Sequence, residues 1–320
     1  MAIKILLPQP IMKEGYDYLQ ARGYEVVDGR GFTEEDILAD VKDCDAILSR
    51  TAKITAKILN NAPMLKLVAR HGAGYDSVDV EAARQNNILI ITAGLSNSIS
   101  VAELTIFLML YCSRNFKKVQ NTYVDDYLNA KLRIPKTELN GKVLGLVGLG
   151  SIGGLVAHKA AMGFDMKVLA YDPFYQGSPP DYLRLVSNRD EIFTASDYVS
   201  LHLPATKDTL GSVGKREFGL MKETAYLINT ARGAIVDEQA LIGALWEGKI
   251  GGAGLDTTEA EPIEKDNPLI QMDNVVIAPH IGAATREASA RASLACAKGI
   301  DDFFSGRTPK NVIPEMFDMI

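Results

Sequence analysis

Four histidines occur in 320 residues, so the candidates for acid–base chemistry near neutral pH can be weighed one by one. His158 lies inside a helical pattern, on a surface or packing face with no partner in view, and no chemistry is expected of it. His202 closes the apolar run Tyr198–Leu201 in V-S-L-H-L-P. Strand ends line the ligand crevice of a parallel sheet, so a ligand contact and a structural role both stay open there. His71, in A-R-H-G-A-G, follows a strand and precedes a glycine loop; nothing requires it to do chemistry. His280 differs, because I-A-P-H-I-G places it directly after one apolar run and directly before a helical pattern. N-T-A-R-G at Asn229–Gly233 follows a second run, and D-T-T-E-A-E-P at Asp256–Pro262 follows a third. Three strand ends thus offer the guanidinium of Arg232, the carboxylate of Glu261 and the imidazole of His280 to one crevice. Singly, each has a bland explanation: a surface ion pair, a turn carboxylate before proline, a capping side chain.

The same region holds a strand that runs into G-L-G-S-I-G, with Gly148, Gly150 and Gly153 in the G-x-G-x-x-G spacing. The first glycine permits a tight turn, the second a close backbone approach to a pyrophosphate, and the third close packing of helix on strand. The helix N-terminus adds free N–H groups and the positive end of its dipole. The next strand ends at Asp172, about twenty residues on, where a carboxylate accepts from ribose hydroxyls and repels a 2′-phosphate. This pattern points to NAD in preference to NADP. The alternative is a glycine turn without ligand and an Asp172 that caps the turn before Pro173.

The elements that must position these groups alternate from end to end. Apolar runs at Ile3–Leu7, Tyr24–Val27, Ala46–Leu48, Leu65–Ala69 and Ile88–Ile91 are separated by amphipathic stretches such as Thr33–Val41 and Thr55–Asn60. A second series runs through Val143–Val147, Met166–Ala170, Tyr198–Leu201, Ala225–Ile228, Gly252–Leu255 and Val275–Ile277. Continuous apolar strands between helices mean parallel sheets covered on both faces. The expected fold is therefore α/β: two Rossmann-like, doubly wound parallel-sheet domains with a cleft between them. Ser100–Arg114 reads as a helix crossing between domains, with Ser100 as N-cap and Glu103 at the capping-box spacing. Ala283–Phe304 reads as a last helix that returns the chain to the first domain. Boundaries are expected at residues 1–99 with 287–320 for a flavodoxin-like substrate domain, and 100–286 for the NAD-binding domain.

Composition sets outer limits. Lys+Arg 34 against Asp+Glu 40 leaves a net charge of −6, which speaks against a nucleic-acid footprint built on a basic face. Hydrophobic residues at 47% rule out global disorder. The longest apolar stretch, Val101–Cys112, is far short of the ~20 residues a membrane span needs. No secretory signal is visible at the start of the sequence. Cys44, Cys112 and Cys296 are scattered and show no metal spacing, in keeping with a reducing, cytoplasmic setting.

With these motifs in view, the sequence resembles the D-isomer-specific 2-hydroxyacid dehydrogenases over nearly its whole length. The carrying motifs are G-L-G-S-I-G, N-T-A-R-G-A-I-V-D at Asn229–Asp237, D-T-T-E-A-E-P and P-H-I-G at Pro279–Gly282. The resemblance implies that Arg232 holds the substrate's carboxylate and carbonyl, that Glu261 pairs with the histidine, and that His280 is the acid–base. It implies cofactor contacts at Ser151 and Ile152, Asp172, Leu203 and Pro204, Thr209, Thr230 and Ala231, Arg232, Asp256, His280 and Ala283, with Thr105 near the nicotinamide. A guanidinium binds a carboxylate bidentately, and a carboxylate beside an imidazole favours its protonated form. Related formate dehydrogenases pair the histidine with glutamine, and Glu261 argues against that branch.

For the substrate, Val68–Asp76 resembles the family's substrate loop, with backbone N–H groups of Ala73 and Gly74 toward a carboxylate; Tyr75 replaces a small aliphatic residue and is expected to narrow the pocket. Arg50 and Arg70 resemble the phosphate-binding arginines of 3-phosphoglycerate dehydrogenases, although surface ion pairs explain them equally well. The implied substrate is a small anionic 2-hydroxy or 2-keto acid, 3-phosphoglycerate first, with hydroxypyruvate or glyoxylate reduction as the alternative. Ending at Ile320, the chain is expected to lack the regulatory domain of some phosphoglycerate enzymes. A homodimer through the cofactor domain and the Ser100–Arg114 helix is implied. A reading of another class is an NAD-sensing binding protein on a dehydrogenase fold.

Overall fold

The computed structural model describes residues 2–320. The chain divides into two compact units, Met1–Asn97 with Ala283–Ile320, and Ser98–Gly282. The observed cuts thus fall at Asn97/Ser98 and Gly282/Ala283, two and four residues before the positions read from the sequence.

The first unit holds β1 (Lys4–Leu7), β2 (Glu25–Asp28), β3 (Ala46–Ser49), β4 (Leu67–Arg70) and β5 (Leu89–Thr92). They form one parallel sheet in the order β2-β1-β3-β4-β5, the flavodoxin-like winding with its switch point between β1 and β3. β3 and β5 are buried along their whole length, as a sheet covered on both faces requires. Thr33 and Thr55 are N-caps rather than first helical residues, each accepting from a backbone N–H three positions on. The last long helix, Arg286–Phe304, starts at the Thr285 cap, three residues later than expected, and joins this unit. It packs so closely on helix Lys13–Ala21 that a Cβ at Gly15 would lie 2.6 Å from the Ser293 carbonyl oxygen. Its Asp301, buried, accepts from Tyr18 and Tyr24 hydroxyls and pairs with Arg22 and Arg307.

The second unit holds β6 (Val143–Val147), β7 (Lys167–Tyr171), β8 (Leu183–Leu185), β9 (Tyr198–Leu201), β10 (Tyr226–Asn229), β11 (Gly252–Leu255) and β12 (Val275–Ile277). All are parallel, in the order β12-β11-β10-β9-β6-β7-β8. Counted within the unit, this is the 3-2-1-4-5-6 winding of a dinucleotide-binding sheet with one strand added. β8 escapes the sequence reading because it is three residues long, at the sheet edge, with exposed Arg184 at its centre. Alternate side chains sort to opposite faces. Leu144, Leu146 and Ile228 meet Leu108, Met109, Val156 and Ala160, while Val199, Leu201 and Leu227 meet Phe193, Phe218 and Leu241.

One expected feature is corrected. The crossing helix is Ser98–Ser113, so Ser100 is its third residue and not its N-cap. The Ser100 hydroxyl donates to the carbonyl of Gly282, and Glu103 lies 3.6 Å from Lys159, so no capping box forms there. Among the described residues no helix is long and apolar enough to cross a membrane.

Candidate active site

The glycine loop meets the demands of its spacing. Gly148 adopts φ +98°, and a Cβ there would overlap the carbonyl of His202 at the end of β9. A Cβ on Gly153 would overlap the carbonyl of Gly148, so the third glycine lets helix Ser151–Phe164 sit on the loop. Gly150, exposed, has no protein atom within 4 Å of its missing Cβ. The protein does not need that glycine for its own packing; the room left over the helix N-terminus suits a pyrophosphate. Ser151 and Ile152 open that helix. Asp172 directly follows β7, accepting from Leu149 N–H at 2.8 Å and Phe174 N–H at 2.9 Å. It both braces the glycine loop and keeps acceptor capacity for a ribose, since a carboxylate offers about four lone-pair sites. Thr209 donates to the Pro204 carbonyl at 2.6 Å and closes the loop that carries Leu203 and Pro204.

The three proposed chemical residues follow β10, β11 and β12, which are neighbours in the sheet. Asn229, Leu255 and Ile277 are in register, so the segments after them leave from one sheet edge. After β10, the buried Asn229 side chain takes Ala231 N–H at 3.0 Å and donates to the Arg232 carbonyl at 2.9 Å. It ties the turn that presents Arg232. Gly233 is required next, because a Cβ there would overlap the carbonyl of Thr258; the Arg232 turn and the loop after β11 are in backbone contact. Thr258 donates to Ala260 at 2.7 Å, and Glu238 accepts from Glu259 N–H and the Asn267 amide. That loop delivers Glu261 before a cis peptide bond to Pro262.

After β12, His280 takes φ +52°, a left-handed conformation costing a residue with a side chain roughly 1–3 kcal/mol. Its N–H donates to the Asp256 carbonyl at 2.8 Å, and its Nδ1 lies 2.8 Å from Glu261 Oε2. Both side chains are more than two-fifths exposed and border a cavity of about 740 Å³ lined by Tyr111, Lys117, Asp256, Pro262 and Ile277. Asp256 is buried; its carboxylate accepts from Ile281 and Gly282 N–H, each at 2.8 Å. Burial pushes the Asp256 carboxyl up from its ordinary value, and those two N–H groups partly offset the shift. Thr105, fully buried, donates to the Val101 carbonyl and meets Thr230 Oγ1 at 2.9 Å.

The other three histidines stand apart from this pair. His158 is exposed and edges against Tyr182. His202 contacts Ser200 Oγ at 2.9 Å, and burial pushes it down to about 4. His71 ties β4 to the last helix through Ser293 Oγ at 2.8 Å and the Ser289 carbonyl. Burial, then the charge of Arg50, lowers it to about 4.

In the first unit, Ser49 and Arg70 are cross-strand partners. Arg50 and Arg70 therefore stand at adjacent strand ends. Arg50 donates to the Pro10 carbonyl at 3.0 Å, across the switch point, and Arg70 to the His71 carbonyl at 3.1 Å. Ala73 is exposed and Gly74 half-buried on the loop that follows. Tyr75 donates to Glu315 at 3.0 Å and anchors that loop to the C-terminal helix Pro314–Met319; the structure gives it this holding role where the sequence suggested narrowing of a pocket. Ala283 is the first residue of this unit's second segment. Asn229, Glu238 and Ser100 hold the site without standing out in the sequence as site residues. Only Asn229 carried a signal, a side-chain amide at a strand end two residues before a turn.

Sheet order, glycine loop and strand-end side chains define a dinucleotide-binding α/β protein. Residues 106–282 match the model of the D-isomer specific 2-hydroxyacid dehydrogenase NAD binding domain. The chain is 37% identical to a D-3-phosphoglycerate dehydrogenase of Archaeoglobus fulgidus, over 97% of this chain and 59% of that one. It is 35% identical to a hydroxypyruvate reductase of Thermotoga maritima, over 91% of this chain and 95% of that one. Among solved structures, NAD+-bound 3-phosphoglycerate dehydrogenase of Entamoeba histolytica superposes with a TM-score of 0.83 at 29% identity, over 98% and 99% of the two chains. Solved chains of this fold include holders of NADP as well as NAD. The chain belongs to the D-isomer specific 2-hydroxyacid dehydrogenase family. It spans about three-fifths of the length of the phosphoglycerate dehydrogenases it matches.

Proposed function

We propose that this protein is an NAD-dependent oxidoreductase that interconverts a D-2-hydroxy acid and its 2-keto acid, with 3-phosphoglycerate and 3-phosphohydroxypyruvate as the pair. The observation that carries the reaction class is the His280–Glu261 contact at the sheet edge that also bears Arg232. The nicotinamide, when bound, supplies or accepts the hydride at C2. Gly148, Gly150, Gly153, Ser151 and Ile152 would hold the pyrophosphate, Asp172 the adenosine ribose, and Leu203, Pro204, Thr209, Thr230, Ala231, Asp256, Thr105 and Ala283 the rest of the dinucleotide. The charge of Asp172 repels a 2′-phosphate, which supports NAD over NADP.

Arg232 would grip the carboxylate and the keto oxygen, drawing electron density from C2. Glu261 accepts at Nδ1, so the proton-carrying tautomer is set and Nε2 is the atom that exchanges a proton with the substrate oxygen. In reduction, protonated His280 gives that proton to the keto oxygen as it takes on alkoxide character. In oxidation, neutral His280 takes it from the hydroxyl. Arg50 and Arg70, at adjacent strand ends, are assigned to the substrate's phosphate, with Ala73 and Gly74 N–H groups toward its carboxylate.

A homodimer is part of the proposal. Phe107, Phe116, Tyr123, Tyr127, Leu128 and Leu132 on helices of the second unit, with Val124 in the turn between two of them, are each about half or more exposed, apolar surface of a kind that a lone soluble chain seldom leaves open.

The test is NADH oxidation across a panel of 2-keto acids. Turnover with 3-phosphohydroxypyruvate above hydroxypyruvate is expected, and Arg50→Ala should cut that preference by about 10-fold or more. Hydroxypyruvate or glyoxylate turning over equally well would replace the phosphate assignment with the reductase reading. His280→Ala should lower turnover by roughly 10²–10⁴-fold with NADH still bound. NADH binding without turnover on any keto acid would mark a dinucleotide sensor instead.

A further inference from the structure

We propose that Ser100 is a positioning residue for His280, acting through the carbonyl of Gly282. The inference rests on the assignment of His280 as the acid–base group. Ser100 is buried on the third position of helix Ser98–Ser113. Its hydroxyl donates across 182 positions of sequence to Gly282 O, at 2.6 Å. The N–H of that same Gly282 donates to Asp256 Oδ2 at 2.8 Å, and Ile281 N–H to Asp256 Oδ1 at 2.8 Å. Gly282 is therefore gripped on both polar groups of its backbone, by a carboxylate on one side and a helix hydroxyl on the other.

The grip leaves little slack. A Cβ on Gly282 would lie 2.8 Å from Asp256 Oδ2, 3.4 Å from a Val101 methyl and 3.6 Å from a Leu104 methyl. The loop is pressed between the Asp256 carboxylate, just after β11, and the helix that carries Ser100. Two residues upstream, His280 holds a left-handed backbone, φ +52°. Side chains disfavour that conformation, and it persists only where the surroundings over-determine it. Asp256 accepts from the N–H groups of His280, Ile281 and Gly282; the Gly282 carbonyl belongs to the next peptide, toward Ala283, which these bonds leave free to turn. Ser100 removes that freedom. Without the Ser100 bond the His280–Gly282 segment is held from the Asp256 side alone, and the 2.8 Å contact of Nδ1 with Glu261 is expected to loosen. The same helix contacts the Arg232 turn through Thr105 and Thr230, so a single helix braces both segments.

The experiment compares wild type, Ser100→Ala and Ser100→Thr with NADH present. Two readouts are used: steady-state kinetics with the best keto acid, and the low-field proton resonance of a His280 Nδ1–H bonded to Glu261, assigned by its loss in His280→Gln. Expected for Ser100→Ala is a kcat lower by roughly 10- to 100-fold, the cost of misplacing a reacting group. NADH affinity should stay within about two-fold, and the resonance should broaden or vanish. Ser100→Thr, which keeps the donor, should restore both. Unchanged kcat and resonance in Ser100→Ala would overturn the proposal. So would parallel loss of NADH affinity and of the His71 and His202 signals, which would make Ser100 merely structural. Wild type inactive on every keto acid, but with a resonance that Ser100→Ala abolishes, would overturn the reaction and leave the positioning role standing.

Discussion

Nδ1 of His280 and Oε2 of Glu261 lie 2.8 Å apart across 19 positions of sequence. Neither residue belongs to a strand or a helix; each hangs from a loop after its own strand, and two adjacent strands set the spacing. Glu261→Gln keeps an acceptor for Nδ1–H and removes the carboxylate charge beside the ring. Keto-acid reduction should fall by roughly 10²-fold, the low end of what an acid–base group contributes. Stopped-flow NADH oxidation measures this, and a rate equal to wild type would detach Glu261 from the chemistry.

Gly233 makes a second prediction, because a side chain there would collide with Thr258. Gly233→Ala should push the Arg232 turn off the Glu261 loop. Overpacking of this kind costs about 1–3 kcal/mol; kcat/KM should fall by roughly 10²-fold through misplaced groups. NADH binding, centred on Gly148–Gly153, should persist by fluorescence titration. Normal kinetics would mean that the two loops move independently.

Asp172 decides cofactor choice in this reading. Asp172→Asn keeps an acceptor for the glycine loop and removes the charge. The ratio of kcat/KM for NADH to that for NADPH should drop by about 10-fold or more, equivalent to about 1.4 kcal/mol. An unaltered ratio would place the discrimination elsewhere.

Acid should loosen the two units separately. Burial lowers His71 and His202 to about 4 from an ordinary 6.5, and one lies in each unit. Above about 6.5 both are neutral whether folded or unfolded, so neither affects stability. As pH falls from there toward 4, the unfolded chain takes up protons that the folded chain refuses, and stability is lost, at most about 3 kcal/mol for each. Denaturant midpoints between pH 7 and 4.5 measure the slope. His202→Gln should flatten it for the second unit alone. A slope unaffected by either histidine would assign the acid response to carboxylates.

Much of this protein follows from local sequence. Val143–Val147, Tyr198–Leu201, Gly252–Leu255 and Val275–Ile277 are strands at the positions their apolar runs indicate, because strands of a parallel sheet covered by helices read as near-continuous apolar runs. The glycine spacing, Asp172 and the strand-end locations of Arg232, Glu261 and His280 were legible for a similar reason: turn chemistry and strand ends are short-range signals. Tertiary structure alone decided the rest. Short, charged-centred β8 is a strand only because β7 offers it an edge to pair with. Ser100 looked like a cap from its neighbours three residues on. Its hydroxyl is spent instead on Gly282, 182 residues away, a partner that no local pattern contains. Tyr75 likewise is committed to Glu315, and Gly233 to Thr258. Local spacing specifies which groups a segment can present. Which partner each group meets depends on sheet order and on how closely distant backbones approach, and those are settled only when the whole chain packs.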